Sequence, residues 1–404
     1  MTGARQTFDQ VSQSGSRAFP VSRFWRLFPS GMRRRWWMFR IFDRIVRSWP
    51  VFRGRHGVLV VRMDGIGDMV LFRRALDSYA EVFGVDKSEI TVLGCTSWES
   101  IAPQVFAGYR IVAINEHAFH RHLIYRFKVG LMVRRLAPRI TVNDAYFRRA
   151  LMADSLVWMS AAPETYSSLP YISGRTRAEY TYFLSQVTKV IDTGMYPTHE
   201  IDRHFRFLSA MAGRTIEPAA PDISWPRQRS AKIPPNVSYA VLNPGSNEPG
   251  RRWPFASYIA IAERLMERGL AVVLIGSSRQ IPGGLNVLKT KEGFIDLVGE
   301  TSLPELMGIL SGAALVVTND TGPAHLAIAV GAPTIVIVGG GHFGSFVPYP
   351  EHIRPPHAHF VFHEMPCYHC FWRCHLRENA AESFPCVGAV PVDAVWAVAD
   401  GYAP

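Results

Sequence analysis

"VLVVRMDGIGDMVL", residues 58–71, is an apolar run that breaks into a glycine turn carrying two acids. Val58, Leu59, Val60 and Val61 read as a buried strand, since β-branched and aliphatic side chains suit a pleated core position. The turn Asp64-Gly65-Ile66-Gly67-Asp68 then opens a helical stretch running to about Phe83. Strand, glycine turn and helix in that order begin a nucleotide-binding α/β unit. A dinucleotide fingerprint needs a third glycine where this chain has Val70, and the flanking carboxylates would repel a pyrophosphate. A dehydrogenase is disfavoured, and the turn needs some use other than holding phosphate.

Outward from that turn the pattern repeats. From residue 57 the stretches HGVLVVRM, EITVLGC, RIVAIN, RITVNDA and DSLVWMSA read as strands, and DMVLFRRALDSYAEVFG and HEIDRHFRFLSAMAG as helices. A Pro-rich span over 217–235 interrupts the series and reads as a linker. A second alternating series follows, through VSYAVLNPGS, AVVLIGSS, ALVVTND and PTIVIVGG. Two such halves predict two doubly wound, Rossmann-like α/β domains facing a cleft, over 57–216 and 236–404. The apolar fraction of 48% and charged fraction of 19% exclude a disordered chain.

The second half holds two loops suited to phosphate. In ALVVTNDTGPAHLAIAVGAPTIVIVGG, residues 314–340, a strand ends at Asn319 and Pro323 fits the first turn of the next helix, where its missing N–H costs nothing. Backbone N–H groups around Thr321, Gly322, Ala324 and His325 then converge at the positive end of a helix dipole, which favours a diphosphate. The same residues also make an ordinary capped helix. In NPGSNEPGRRWPF, residues 243–255, Gly245 and Ser246 allow close backbone approach, and Arg251 and Arg252 supply countercharge. Together the loops make a nucleoside-diphosphate site.

At this point the chain resembles glycosyltransferase family 9, the heptosyltransferases of lipopolysaccharide assembly. The stretches that carry the resemblance are VVRMDGIGDMVL, NPGSNEPGRRWP, DLVGETSLPEL and VVTNDTGPAHLAIAVGAPTIVIVGG, in order over roughly residues 57–400. The resemblance implies a GT-B fold, a nucleotide-sugar donor on the C-terminal domain and an acceptor on the N-terminal one. It further implies ADP-heptose as the donor and an inverting transfer to a lipopolysaccharide-core or related glycan. Asp68 matches the family's catalytic base, with Asp64 as competitor. An inverting transfer needs such a carboxylate to take the acceptor's proton. Arg251 matches a phosphate-binding Lys or Arg, and Asp320, Thr321, Gly322 and His325 match the nucleotide loop. Ser277 and Ser278 stand where some members carry an acid for the ribose, which weakens the choice of ADP over another nucleotide. The rival readings are a protein heptosyltransferase, a GT-B sugar-nucleotide epimerase and a non-catalytic membrane-bound scaffold.

Two segments fall outside that core. Residues 1–56 hold twelve Arg and no Lys against Asp9 and Asp43, so they carry ten of the eleven net positive charges. Within them, RFWRLFPSGMRRRWWMFRIFDRIVRSW (23–49) alternates arginines with bulky apolar residues near the helical period. It lacks the roughly 18–20 uncharged apolar residues of a transmembrane helix. A basic, Trp-rich amphipathic helix fits an anionic membrane surface, and so predicts a cytoplasmic enzyme peripheral on the inner face of the cytoplasmic membrane. Packing on the protein's own domain and nucleic-acid binding are the competing uses, and no nucleic-acid partner is expected. The second segment, CYHCFWRCHLRENAAESFPC, gathers Cys367, Cys370, Cys374 and Cys386. Four thiolates could complete a structural zinc or iron site, with His363, His369 and His375 as substitutes; reduced packing cysteines are the alternative. Some members of the resembled family, the protein-modifying ones, are thought to bind iron at such a cluster.

Overall fold

The computed structural model describes residues 36–226, 231–281 and 287–404. These divide into two compact units, 36–196 with 200–218 and 197–199 with 219–404. The change between units at Pro218 and Ala219 falls inside the Pro-rich span, whose described residues form neither helix nor strand.

The N-terminal unit begins with helix α1 (Trp36–Arg47) and strand β1 (His56–Val61). The glycine turn follows, and then α2 (Ile66–Leu76). Strands β2 (Ile90–Cys95) and β3 (Arg110–Ile114), helix α3 (Leu123–Leu136) and strand β4 (Pro138–Asn143) come next. Helix α4 (Ala153–Ser160), strands β5 (Glu164–Ser168) and β6 (Lys189–Ile191), and helix α5 (Glu200–Ala212) complete it. The six strands form one parallel sheet in the order β3-β2-β1-β4-β5-β6. Val58 sits between Ile90 and Ile140, so β1 is central, and its five C-terminal residues are all buried. A parallel strand covered on both faces needs such an unbroken apolar run.

The second unit repeats the plan. Its elements are β7 (Tyr239–Asn243), α6 (Phe255–Glu267), β8 (Ala271–Leu274), β9 (Phe294–Asp296), α7 (Leu303–Ser311), β10 (Leu315–Asn319), α8 (Gly322–Ala329), β11 (Thr334–Val338) and β12 (Ala358–Phe362). Their order, β12-β11-β10-β7-β8-β9, is the same doubly wound topology, again wholly parallel. In each sheet the winding reverses between the first and fourth strands, β1/β4 and β7/β10. Ligands of such sheets bind beyond the strand ends at that reversal.

Two details of the expected pattern change. DSLVWMSA is helix α4, not a strand, and every residue of α4 is buried. A helix with no polar face shows no helical period, and only the parallel pairing of β4 with β5 demands a crossover there. The helix after the glycine turn stops at Leu76 and not near Phe83, where a separate short helix (Tyr79–Phe83) ends at Gly84 with φ +61°.

Residues 1–35 of the basic arm lie outside the described residues, and with them much of the expected anchor. The described part, α1, turns Phe39, Asp43 and Val46 inward at spacings of four and three, against α3 and α4. Both Asp43 oxygens accept from Arg126, at 2.7 and 2.6 Å. The opposite face of the segment leaves Ile41, Ile45, Trp49 and Phe52 exposed, Phe52 almost fully. No helix among the described residues is long and apolar enough to cross a membrane.

Candidate active site

At the β1/β4 reversal the N-terminal unit gathers acids around one buried arginine. Arg62, the residue after β1, pairs through Nε with Asp64 at 2.8 Å and donates from Nη1 to Asp144, just beyond β4, at 2.6 Å. The Phe72 ring lies 4.3 Å beneath its guanidinium. The other oxygen of Asp144 is 2.9 Å from His204 Nδ1, on α5. Burial alone would raise Asp144, but His204 and Arg62 hold it well below the usual carboxylate range.

Asp68 stands in the first turn of α2, with Gly65 as the N-cap residue, so it is not itself the cap. Burial, then the charge of Asp64, push its pKa up to about 7, against the opposing pull of Arg62 and backbone N–H groups. Burial also raises Asp64, whose own cation is Arg62. Glu200, at the start of α5, is buried, ion-paired with Arg203 at 3.3 Å and pushed up to about 8, chiefly by burial and also by Asp68. Burial and the neighbouring carboxylates thus push the Asp68 and Glu200 carboxyls up toward neutrality. That suits a general base working near pH 7.

The second unit builds its site at the β7/β10 reversal. Asn243 ends β7, and its Nδ2 donates to Thr318 Oγ1 at 2.9 Å and Thr321 Oγ1 at 3.2 Å. Asn319 ends β10; it donates to Pro244 O at 2.8 Å and accepts from Trp253 N–H at 2.9 Å. These two asparagines lock together the loops that hold the expected donor residues. Gly245 lies where a Cβ would come within 2.8 Å of Gln280 Oε1. The buried Ser246 accepts through its carbonyl from Arg252 Nε at 3.0 Å and Nη2 at 2.8 Å. Arg252 therefore staples its own loop and is not a free countercharge.

Arg251 crosses to the other loop. Its Nη2 donates to Asp320 Oδ2 at 2.8 Å and to the Asp320 carbonyl. Among the described residues its Nε is buried without a hydrogen-bond partner, and Nη1 has none either. Thr321 is the N-cap residue of α8 and Gly322 its first residue, so the expected helix N-terminus is present. One donor expected there is already spent, because Ala324 N–H bonds to Thr321 O at 3.0 Å. The His325 side chain turns inward, its Nδ1 2.9 Å from Tyr349 Oη with the rings stacked. Burial lowers it to about 4, so it is neutral at pH 7. The His325 ring therefore brings no imidazolium charge to this loop.

Gly245, Ser246, Arg251, Asp320, Thr321, Gly322 and His325 are thus brought together in one unit, while Asp68 belongs to the other. Asn243, Asn319, Arg62, Asp144 and His204 were missed by sequence reasoning. For all but His204, which lies inside α5, the signal was a polar residue at or just beyond the end of an apolar strand run.

Cys367, Cys370, Cys374 and Cys386 all line one pocket, walled by Met365, Trp372 and Phe384. Gly340 N–H donates to Cys386 Sγ at 3.4 Å, and burial pushes the Cys370 and Cys386 thiols up. Among the described residues no group of three or more His, Cys, Asp or Glu is arranged to hold a metal ion. The four thiols share a pocket without forming the expected tetrahedral centre.

Two parallel Rossmann-like sheets, acids at one reversal and an arginine with a helix N-terminus at the other, are the parts of a GT-B glycosyltransferase. The chain belongs to glycosyltransferase family 9 (heptosyltransferase), whose sequence model matches residues 148–375. It is 25% identical over 199 residues to lipopolysaccharide heptosyltransferase 2 of Escherichia coli K12, a match covering 45% of this chain and 56% of that protein. The chain spans about half the length of that curated relative and of its Salmonella typhimurium counterpart. In fold it is similar to the E. coli ADP-heptose lipopolysaccharide heptosyltransferase II structure, with a TM-score of 0.62, 17% identity, and coverage of 86% of this chain and 98% of that one. The iron-containing dodecameric glycosyltransferase TibC of enterotoxigenic E. coli gives 0.53 at 15% identity, covering 86% and 76%.

Proposed function

We propose that this protein transfers a heptosyl group from ADP-heptose to a lipopolysaccharide-core or related glycan acceptor, inverting the anomeric centre. The observation that carries this reading is the division of charge. Carboxyl groups crowd one sheet's reversal, and unpaired arginine N–H groups with a helix N-terminus occupy the other's. Asp68 takes the proton of the acceptor hydroxyl as its oxygen bonds to the anomeric carbon. The bond from that carbon to the donor phosphate breaks, and Arg251 and the α8 N-terminus meet the charge left on the diphosphate. Asp68 is favoured over Asp64 because Arg62 pairs directly with Asp64. Arg251→Ala should weaken ADP binding about tenfold or more, as expected for a lost charge-assisted contact, and adenosine binding far less. Titration calorimetry with both ligands reads the difference. Equal losses would remove this arginine from the phosphates.

The exposed Ile41, Ile45, Trp49 and Phe52 face lies beside Arg40, Arg44 and Arg53. We place it on the anionic inner surface of the cytoplasmic membrane, near a lipid-linked acceptor. We further propose that Cys367, Cys370, Cys374 and Cys386, which line one pocket, would hold a single thiophilic ion through their sulfur donors. Elemental analysis of untagged protein should then find close to one iron or zinc per chain. Four native-state thiols titrating freely in metal-free protein would reject it.

A further inference from the structure

The segment that carries the cysteines joins the glycine run after β11 to the Arg251 loop of the donor site. After β11 the chain runs through Gly339, Gly340 and Gly341. A Cβ on Gly340 would fall 2.2 Å from the Tyr368 ring, and one on Gly341 would fall 2.1 Å from Trp372. The glycine run is therefore the seat of two aromatic rings. Backbone bonds from His369 N–H to Gly340 O (2.7 Å) and from Phe371 N–H to Gly341 O (2.9 Å) fix the seat. His369, Phe371 and Trp372 all have φ between +54° and +66°, a conformation that L side chains keep only where surrounding packing imposes it.

The far end of the segment grips the loop that carries Arg251. Phe384 N–H donates to Gly250 O at 2.6 Å, Ser383 Oγ to Arg252 O at 2.6 Å, and Arg377 Nη1 to Glu248 Oε1 at 2.7 Å. Between these ends the Trp372 ring stacks on Phe384 and lies 4.8 Å from the centre of the Arg251 guanidinium. The arginine is thus held along one edge by Asp320 and across one face by Trp372. A stacked, planar guanidinium loses less freedom when it forms further hydrogen bonds.

We propose that Trp372 is a positioning residue for donor binding, presenting Arg251 to the diphosphate, and that the cysteine-bearing segment belongs structurally to the donor site. This rests on reading Arg251 as the phosphate-binding arginine. Trp372 touches no reacting atom; it acts through Arg251.

A double-mutant cycle tests it, with ADP, adenosine and inorganic pyrophosphate as titrants. Trp372→Leu should weaken ADP and pyrophosphate about fivefold, the size of a partly buried cation–π contact, and leave adenosine within twofold. In an Arg251→Ala background the same change should cost nothing further. A loss shared equally by adenosine, or one that persists without Arg251, overturns the proposal and leaves the arginine's own role standing. If Arg251→Ala alone shows no preference for the phosphate-bearing ligands, both readings fall, and at a separate step of the cycle. Should Trp372→Leu not fold, Trp372→Phe carries the test. It keeps a ring on the glycine seat, and about a twofold loss that vanishes without Arg251 is expected; a loss that survives there contradicts the proposal.

Discussion

Replacing Asp68 by asparagine is expected to cut turnover on the order of 10²–10⁴-fold while leaving ADP affinity nearly unchanged. The side chain keeps its size and its place in the first turn of α2 but can no longer accept the acceptor's proton. The donor loops lie on the other unit, so their binding energy has no share in the loss. Wild-type kcat/KM should also rise with pH through a midpoint near 7, because burial and Asp64 hold the Asp68 carboxyl there and only its ionised form is a base. Glu200→Gln should leave that midpoint nearly unchanged, because Glu200, pushed up to about 8, still holds its proton while Asp68 titrates. Near-normal turnover in Asp68→Asn, with loss in Asp64→Asn, would transfer the role to Asp64.

Much of this site was legible in the chain because its chemistry is local. The β1 strand, glycine turn and Asp68 are consecutive, and Asp320 to His325 follow directly from the apolar run of β10. The remainder depends on which strands become neighbours. Asn243 meets Thr318 only because β7 and β10 pair across 75 residues. Arg62 reaches Asp144 only because β4 lies beside β1. Strand order is a property of the folded sheet, and no residue spacing encodes it. Burial hid other features: α4 had no polar face to reveal its period, and no sequence signal showed that the His325 ring packs on Tyr349. The run after β11 gave no sign that its glycines make room for Trp372 and Tyr368.

The second large effect concerns the arm. Asp43→Ala is expected to destabilise the protein by about 3–5 kcal/mol, because it leaves the Arg126 guanidinium buried without its carboxylate. Arg126 is enclosed by the Phe39 and Phe119 rings, 4.9 and 4.5 Å away, so water cannot readily replace the lost partner. Denaturant unfolding of Asp43→Ala and of Asp43→Ala/Arg126→Met reads this, and the double variant should recover much of the loss. Deletion through residue 50 should unfold the N-terminal unit for the same reason, whereas deletion through residue 35 keeps Asp43. The outer face behaves differently. Glutamates at the exposed Ile41 and Ile45 should change stability by no more than about 0.5 kcal/mol and release the protein from anionic vesicles. A negligible cost for Asp43→Ala would show that α1 is not part of the folded unit; unchanged vesicle binding in the glutamate variant would refute the membrane assignment.

The central claim is an inverting sugar transfer that uses Asp68 on one unit and the Arg251 loop on the other. Its most direct test incubates the purified protein with ADP-heptose and a heptose-deficient lipopolysaccharide core, and determines the anomeric configuration of the product by NMR. Transfer with a configuration opposite to the donor's, abolished together with ADP release in Asp68→Asn, is the predicted result. Transfer with retained configuration, or undiminished transfer by Asp68→Asn, would contradict the account.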